Sequence, residues 1–495
     1  MNYYLGIDNG GTVIKAALYD AAGSQVSVAS EKVEMICPKV GFTERELSAV
    51  WAANASAVRK CLARSGVRAD DIRSVGLSGH GKGLYITDKE GKPVYRGIVS
   101  TDSRASEIEK AFYAEGVAAR AYKKTFQKVL ACQPVCLLRW LKENDRAVYD
   151  KIGWIMSAKD YIRYCLTGKI RAELTDISGT NLLNLQTMRY DAELPEMFGI
   201  PEIAGALPPL CKSAEICGYV TAAAAEQTGL REGTPVSGGM FDIDACAVGV
   251  GICDERDVCV IGGTWSINEY ISPAPVLDGS ISMNSAFCKD GYYLIEECSP
   301  TSAGNLEWVI ERFFSKERAE CGSSDAFYAM LNEGVAKIEP QECGVVFLPF
   351  LFDCNEDADL GAAFLNLKAF DDKMMLARAV YEGVVFSHKT HIDRLLKSRN
   401  TPVKIRLAGG VTKSAVWSQM FADVTGLNVE AVADKELGCF GAAMVAAVAI
   451  GDFASIDEAE KACVGKGKMY YPNPENSKIY AEKYARYKGI IEKLK

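Results

Sequence analysis

The sequence predicts a mixed α/β protein built as two domains of like topology, and three observations carry that prediction. Two apolar runs, Tyr3 to Ile7 and Val13 to Tyr19, flank the glycine turn Asp8-Asn-Gly-Gly-Thr12, the pattern of a strand–turn–strand hairpin. The pattern returns about 250 residues further on as Asp257-Val-Cys-Val-Ile-Gly-Gly-Thr264-Trp-Ser-Ile-Asn-Glu-Tyr-Ile271, lacking only the aspartate at the strand end. A length of 495 residues also exceeds what one hydrophobic core usually supports. The division expected from the repeat is 1–253 and 254–495.

In the first hairpin Gly10 and Gly11 let the backbone take positive φ and approach a ligand, Thr12 offers a hydroxyl and Lys15 a positive charge. Asp8 at the strand end is suited to Mg²⁺, directly or through water, because hard cations at phosphates prefer carboxylate and water oxygens. The plain alternative is a surface hairpin whose Asp and Gly residues only make the turn. No long helix pattern follows, so this is neither a Walker loop nor a dinucleotide fingerprint.

Taken in order, Val26 to Met35 continues as a third extended segment, and Ser48 to Arg64 has Val50, Trp51, Val58, Cys61 and Leu62 at helical spacing. Ile72 to Leu77 reads as a buried strand ending in Ser78-Gly-His-Gly-Lys-Gly83, with another strand over Leu84 to Thr87. Strands, then a helix, then a strand suggest a mixed sheet, and the loop after residue 77 lies at a strand carboxyl end, where open α/β sheets bind ligands. Residues 97–190 are irregular and helical, an insertion suited to substrate contacts. It carries Thr101-Asp-Ser-Arg104, Ser157-Ala-Lys-Asp-Tyr161 and Thr175-Asp-Ile-Ser-Gly179, each equally readable as a helix cap or a turn. Residues 234–244 then place Asp242 just beyond two glycines, facing a ligand or capping the run Ala245 to Val250.

In the second half, Ala408-Gly-Gly410 follows the strand Lys404 to Leu407 and precedes a helix pattern from Lys413 to Thr425. Glycines there let a nucleotide approach the backbone. Glu436-Leu-Gly-Cys-Phe-Gly-Ala-Ala443 is similar, with close helix packing as a compatible alternative, and Ile479 to Leu494 closes the chain as an amphipathic helix. His388, His391 and Asp393 lie on the helix pattern Met374 to Leu396, but the spacing is not H-E-x-x-H and no third ligand is evident, so no metal is expected there.

Fifty-six basic against 64 acidic residues give a net charge of −8, which argues against nucleic acid as a partner. The amino terminus enters a strand at once, without the basic and apolar regions of an export signal. The most apolar stretch, Cys439 to Ile450, is too short to span a bilayer. Seventeen cysteines are scattered without a C-x-x-C pair, as expected of reduced thiols in a cytoplasmic protein with no membrane association.

With both hairpins, the Gly-Met-Phe-Asp242 segment and Ala408-Gly-Gly-Val-Thr-Lys-Ser-Ala-Val-Trp-Ser-Gln-Met-Phe-Ala-Asp423 in hand, the chain resembles the FGGY family of carbohydrate kinases over essentially its whole length. It is most similar to the L-xylulose kinase branch, through Ser78-Gly-His-Gly-Lys-Gly-Leu84, Glu297-Cys-Ser-Pro-Thr-Ser-Ala-Gly-Asn-Leu-Glu-Trp308, Tyr381-Glu-Gly-Val-Val-Phe-Ser-His388 and Gly438-Cys-Phe-Gly-Ala-Ala443. Gly11 stands where many members carry threonine, and His80 where glutamine is commoner.

The resemblance implies the two-domain actin-like ATPase fold of ribonuclease H-like type, each domain a mixed five-stranded sheet with flanking helices, with ligands in the interdomain cleft. The first domain would bind mainly sugar, the second mainly ATP, and the protein would be a homodimer. The implied reaction is transfer of the γ-phosphoryl of Mg-ATP to a ketopentose such as L-xylulose, with Asp242 as general base and Asp8 positioning Mg²⁺. Gly10, Gly11, Thr12, Lys15, Gly263 and Thr264 would hold phosphates, while Gly409, Gly410, Lys413 and Gln419 would shape the adenosine pocket. His80, Lys82, Asp102, Arg104, Asp176 and Asp242 would bind the sugar. Another ketopentose, erythritol or glycerol are the alternative substrates, and an actin-like ATPase without sugar kinase activity is the alternative outside the class.

Overall fold

The computed structural model describes residues 2–252, 254–263, 265–352, 354, 360–397, 403–432 and 435–495. The chain forms two compact units, one of Met1–Cys253, Ile271–Ile295 and Lys435–Val464, the other of Asp254–Tyr270, Glu296–Asp434 and Gly465–Lys495.

The first unit begins with β1 (Tyr3–Asn9), β2 (Val13–Asp20) and β3 (Gln25–Lys32), an antiparallel meander in which Asn9 pairs with Ile14 across the glycine turn. Helix α1 (Leu47–Ser65) buries Val50, Ala57, Val58 and Cys61 and ends at Gly66, whose φ of 65° closes the helix at little steric cost. It returns the chain to β4 (Ile72–Gly79), which lies parallel to β1. Leu5, Ile7, Leu18, Val75 and Leu77 form the core with the inner face of α1.

The insertion, together with Leu84 before it and Phe198 after it, builds a second core that includes Phe112, Leu137 and Leu138. Within it, α2 (Ala158–Thr167) starts where the Ser157 hydroxyl accepts from Asp160 N, and the short α3 (Leu174–Ser178) is capped by Glu173. Strands β5 (Ile216–Tyr219), β6 (Pro235–Ser237) and β7 (Met240–Phe241) rejoin the sheet, and α4 (Asp242–Val250) follows directly. The order is β5-β6-β4-β1-β2-β3, with β7 also paired to β4. Register then sets the site: Asp8 lies opposite Ser78 and Ser78 opposite Met240, so three parallel strands end at one level.

A second sheet repeats the plan. Strands β8 (Asp257–Gly262) and β9 (Ser266–Ser272) are antiparallel, β10 (Met283–Ala286) and β11 (Tyr293–Ser299) extend the sheet, and helices α5 (Gly304–Phe313), α6 (Ser324–Ala336) and α7 (Lys373–Leu396) follow. Strand β12 (Lys404–Ala408) runs parallel to β8, with Ile261 opposite Ala408. Helix α8 (Ala415–Thr425) begins at a Ser414 cap rather than at Lys413, because Gly410–Lys413 forms a 3-10 turn. Strand β13 (Asn428–Ala431) is parallel to β12.

The chain then returns to the first unit as α9 (Leu437–Ala449) and α10 (Ile456–Cys463), and ends in the second as β14 (Lys468–Tyr470) and α11 (Pro474–Leu494). The second sheet is ordered β10-β11-β9-β8-β12-β13-β14. Each sheet therefore has seven strands rather than the five the resemblance implied, because short edge strands such as β5 and β14 extend it. The small residues of α9 are explained by packing: a Cβ on Gly6 or Gly76 would overlap an α9 backbone carbonyl, and one on Gly441 would overlap the Ala245 carbonyl of α4.

Among the described residues no helix is long and apolar enough to cross a membrane, and the cysteines are free thiols.

Candidate active site

The chemistry of the first unit gathers where β1, β4 and β7 end. Ser78 Oγ donates to Asp8 Oδ1 at 2.9 Å. Burial raises the Asp8 pKa, while the Ser78 hydrogen bond and the charge of Lys15 oppose the rise. Lys15 Nζ lies 2.6 Å from Glu436 Oε2, so at the mouth of the hairpin it holds one carboxylate and lies within electrostatic reach of a second. A Cβ on Gly438 would come within 2.8 Å of the Asp8 carboxylate, so the start of α9 is built close against it.

Asp242 is the first residue of α4, half-buried. Its pKa is held well above the usual carboxylate range, first by burial and then by the negative charges of Asp8 and Asp176, with Lys82 pulling the other way. Lys82 sits at φ 60° with its ammonium 5.7 Å from the centre of the Phe241 ring, which directs a charge toward the start of α4. Asp176 is buried, and neither oxygen accepts a hydrogen bond of good geometry among the described residues. Lys159 Nζ lies 3.3 Å from Asp176 Oδ2 and also binds Asp160 and Glu173. Burial nevertheless pushes the Asp176 carboxyl up to about 6.

His80 is buried with Nε2 2.9 Å from Tyr85 Oη and Nδ1 3.3 Å from the Gly81 carbonyl. Burial and the nearby Arg45 push it down to about 4, so the ring is neutral. Asp102 and Arg104 are taken up by one another and by their neighbours. Asp102 Oδ2 accepts from Thr43 N at 2.7 Å, and Arg104 Nη2 lies 2.8 Å from Asp102 and 2.7 Å from Glu44. The Arg104 guanidinium also stands 4.1 Å from the centre of the Phe42 ring. They form a buried ionic wall of the insertion.

In the second unit a cavity of about 550 Å³ lies beside the ends of β8 and β12. Gly262, Gly263, Gly410 and Lys413 line it, with Gly304 at the amino terminus of α5, an end suited to anions. Its other wall is organised around Asn332, whose Oδ1 accepts from Ser414 Oγ at 2.6 Å and Tyr381 Oη at 3.0 Å. Tyr381 and Trp417 stack with ring centres 4.2 Å apart. The volume suits a nucleoside-sized ligand. Gly409 serves the packing rather than the lining: its φ is 88°, and a Cβ would lie 2.7 Å from the Gly262 carbonyl oxygen. Gln419 is elsewhere, donating to Asp423 Oδ1 and the Tyr471 carbonyl, both at 2.8 Å. Thr264 lies outside the described residues.

His388 and His391 are core residues. His388 meets Ser266, Asn268 and Ser302, while His391 meets Glu297 and Ser299. No metal-binding cluster of three or more His, Cys, Asp or Glu occurs among the described residues. A divalent cation would instead fit Asp8, an oxygen donor whose charge burial disfavours and whose one oxygen is fixed by Ser78.

Sequence reasoning missed Ser78 as a partner of Asp8, and Lys159, Glu173 and Thr175 as the framework of Asp176. The clusters containing Lys159 and Thr175 were visible, but their direction was not. Arg45 offered no signal, since a charge between two glutamates reads as surface.

Comparison with known proteins agrees over the full length. Residues 3–249 match the model of the N-terminal domain of the FGGY family of carbohydrate kinases, and 258–450 match that of its C-terminal domain. A probable L-xylulose kinase of Pasteurella multocida is 38% identical, covering 100% of this chain and 99% of its own. The L-xylulose/3-keto-L-gulonate kinase of Escherichia coli is 37% identical over 99% of this chain and 97% of its own. Among solved structures, ligand-bound xylulose kinase from Lactobacillus acidophilus superposes with a TM-score of 0.89 at 23% identity, covering 100% of this chain and 98% of that one.

Proposed function

The chain belongs to the FGGY family of carbohydrate kinases, and on that premise we propose that it transfers the γ-phosphoryl group of Mg-ATP to a hydroxyl of a ketopentose, L-xylulose foremost, with Asp242 as general base. The observation that carries the base assignment is the Asp242 carboxylate itself. It stands at the registered strand ends beside Asp8 and Asp176, with its proton affinity raised by burial and by their charges. A base so placed takes a proton more readily than an exposed aspartate.

As the sugar oxygen bonds to the γ-phosphorus, the bond from phosphorus to the β–γ bridging oxygen breaks, and its electron pair leaves with ADP. The hydroxyl proton passes to Asp242. Mg²⁺ held through Asp8 would supply charge neutralisation at the phosphates. The protein's part is positioning and electrostatics rather than covalent chemistry. Lys15, Gly10, Gly11 and Thr12 hold phosphate oxygens on the first hairpin, and Gly263 and Thr264 on the second. The cavity beside Gly410, Lys413 and Trp417 holds the nucleoside. Asp176 and Lys82 bind sugar hydroxyls, with neutral His80 fixed behind them and the Asp102–Arg104 pair shaping the wall. The name of the Escherichia coli relative supports a keto-sugar acid as a second substrate class to test.

The test is ADP release across a panel of ketopentoses, 3-keto-L-gulonate, erythritol and glycerol, for the intact chain and Asp242→Asn. Stimulation by one or two ketoses, abolished in the variant while ATP still binds, is expected. ATP turnover indifferent to sugar, or full activity in Asp242→Asn, refutes the reaction or the base.

A further inference from the structure

Arg45 is fully buried, at 0% exposure. Among the described residues no carboxylate pairs with it: burial pushes its pKa down, and the group acting against that is the Tyr85 hydroxyl. A buried cation without a counter-charge is costly, which makes its hydrogen bonds informative. Nη1 donates to the Gly10 carbonyl at 3.1 Å and Nη2 donates to the Gly11 carbonyl. One residue earlier, the His80 N–H donates to the Asn9 carbonyl at 3.2 Å. Three successive carbonyls of the first glycine turn are thus drawn to donors of the scaffold.

In a planar trans peptide the C=O of one residue and the N–H of the next point in opposite directions. With the Gly10 and Gly11 carbonyls on the guanidinium, the N–H groups of Gly11 and Thr12 are turned away from it. Among the described residues neither N–H has a hydrogen-bond acceptor in the protein. Thr12 is exposed, and a Cβ added at Gly11 would meet nothing within 4 Å. Consecutive outward N–H groups make a seat for an anion.

We propose that Arg45 is the positioning residue of the first phosphate turn: its planar fork sets two peptide planes so that the Gly11 and Thr12 N–H groups face a phosphate oxygen of the nucleotide, and its charge behind the turn adds to their pull. This rests on the reading of that turn as a phosphate site. Lysine is a poor substitute, because an ammonium keeps the charge but loses the rigid fork that reaches both carbonyls.

The test compares the full-length protein with Arg45→Met and Arg45→Lys by calorimetric binding of ATP and of adenosine, by kinetics, and by histidine NMR titration. Arg45→Met is expected to weaken ATP about tenfold with adenosine unchanged, and to lower kcat about tenfold to a hundredfold, the scale of a lost charge-stabilising donor. The KM for sugar should stay within about twofold. Arg45→Lys should fall between Met and wild type, and it alone carries the test if the Met variant does not fold. With three histidines in the chain, the His80 signal is separable, and its pKa should rise in Arg45→Met and less in Arg45→Lys. Equal weakening of ATP and adenosine, or a sugar KM that rises as much as that for MgATP, overturns the proposal in favour of a purely structural arginine. If the wild-type chain binds ATP no more tightly than adenosine, the phosphate reading itself fails, and the role of Arg45 fails with it.

Discussion

The backbone N–H of Phe241 donates to Thr175 Oγ1 at 2.8 Å. Thr175 Oγ1 in turn donates to Glu173 Oε2 at 2.7 Å, and Glu173 caps the helix that carries Asp176. One hydroxyl therefore ties the residue before Asp242 to the residue before Asp176. Thr175→Val leaves a buried N–H and a buried carboxylate oxygen without their partner. A loss of about 1–3 kcal/mol in stability is expected, with a fall in kcat/KM for sugar larger than that for ATP. Urea unfolding and steady-state kinetics check both, and Thr175→Ser should restore both.

The raised pKa of Asp242 fixes the sign of the pH dependence. The base works deprotonated, so activity falls as pH drops through its pKa, and that acid limb should lie above the usual carboxylate range. Lys82 lowers this pKa, so Lys82→Met should shift the limb to higher pH. A limb at ordinary carboxylate pH, or one that moves down in the variant, contradicts the assignment.

Gly438 is a second point of leverage. In Gly438→Ala the new methyl carbon would stand 2.8 Å from the Asp8 carboxylate, and α9 is held close to β1 at Gly6. Either the carboxylate or the helix must shift. A raised Mg²⁺ requirement and a lower kcat are expected, read by titrating Mg²⁺ at saturating ATP, and Gly451→Ala, in open space at a helix end, provides the comparison for strain alone.

The two glycines after β12 should separate stability from nucleotide binding. Gly409→Ala places a side chain at φ 88° against the Gly262 carbonyl and should cost about 1–3 kcal/mol. Gly410 has room for a Cβ and lines the cavity, so Gly410→Ala should be nearly neutral while Gly410→Phe raises the KM for ATP with little change in that for sugar. Melting curves and both KM values distinguish the pair.

What the sequence determined by itself is what local pattern carries. Apolar runs around glycines marked both hairpins, helical spacing marked α1, and the repeat marked two units of one plan. The placement of Asp8, Asp242 and Gly410 beside strand ends and glycine turns was legible, because glycines interrupting apolar runs mark where a strand stops. Gln419 and the Asp102–Arg104 pair show the limit of that reasoning: their residue types suit a ligand, but only the fold reveals that Tyr471, Thr43 and Glu44 occupy them.

The tertiary structure decided what depends on contacts between residues far apart in the chain. It returned residues 271–295 and 435–464 to the first unit, where α9 lies against β1 because Gly6 has no side chain. It turned Arg45 from a charge between two glutamates into a buried support for the Gly10 and Gly11 carbonyls. It also raised the proton affinity of Asp242 through burial and through the charges of Asp8 and Asp176. Periodicity records which face of an element is buried. It does not record what that face meets, and both burial energy and charge interaction depend on the neighbour.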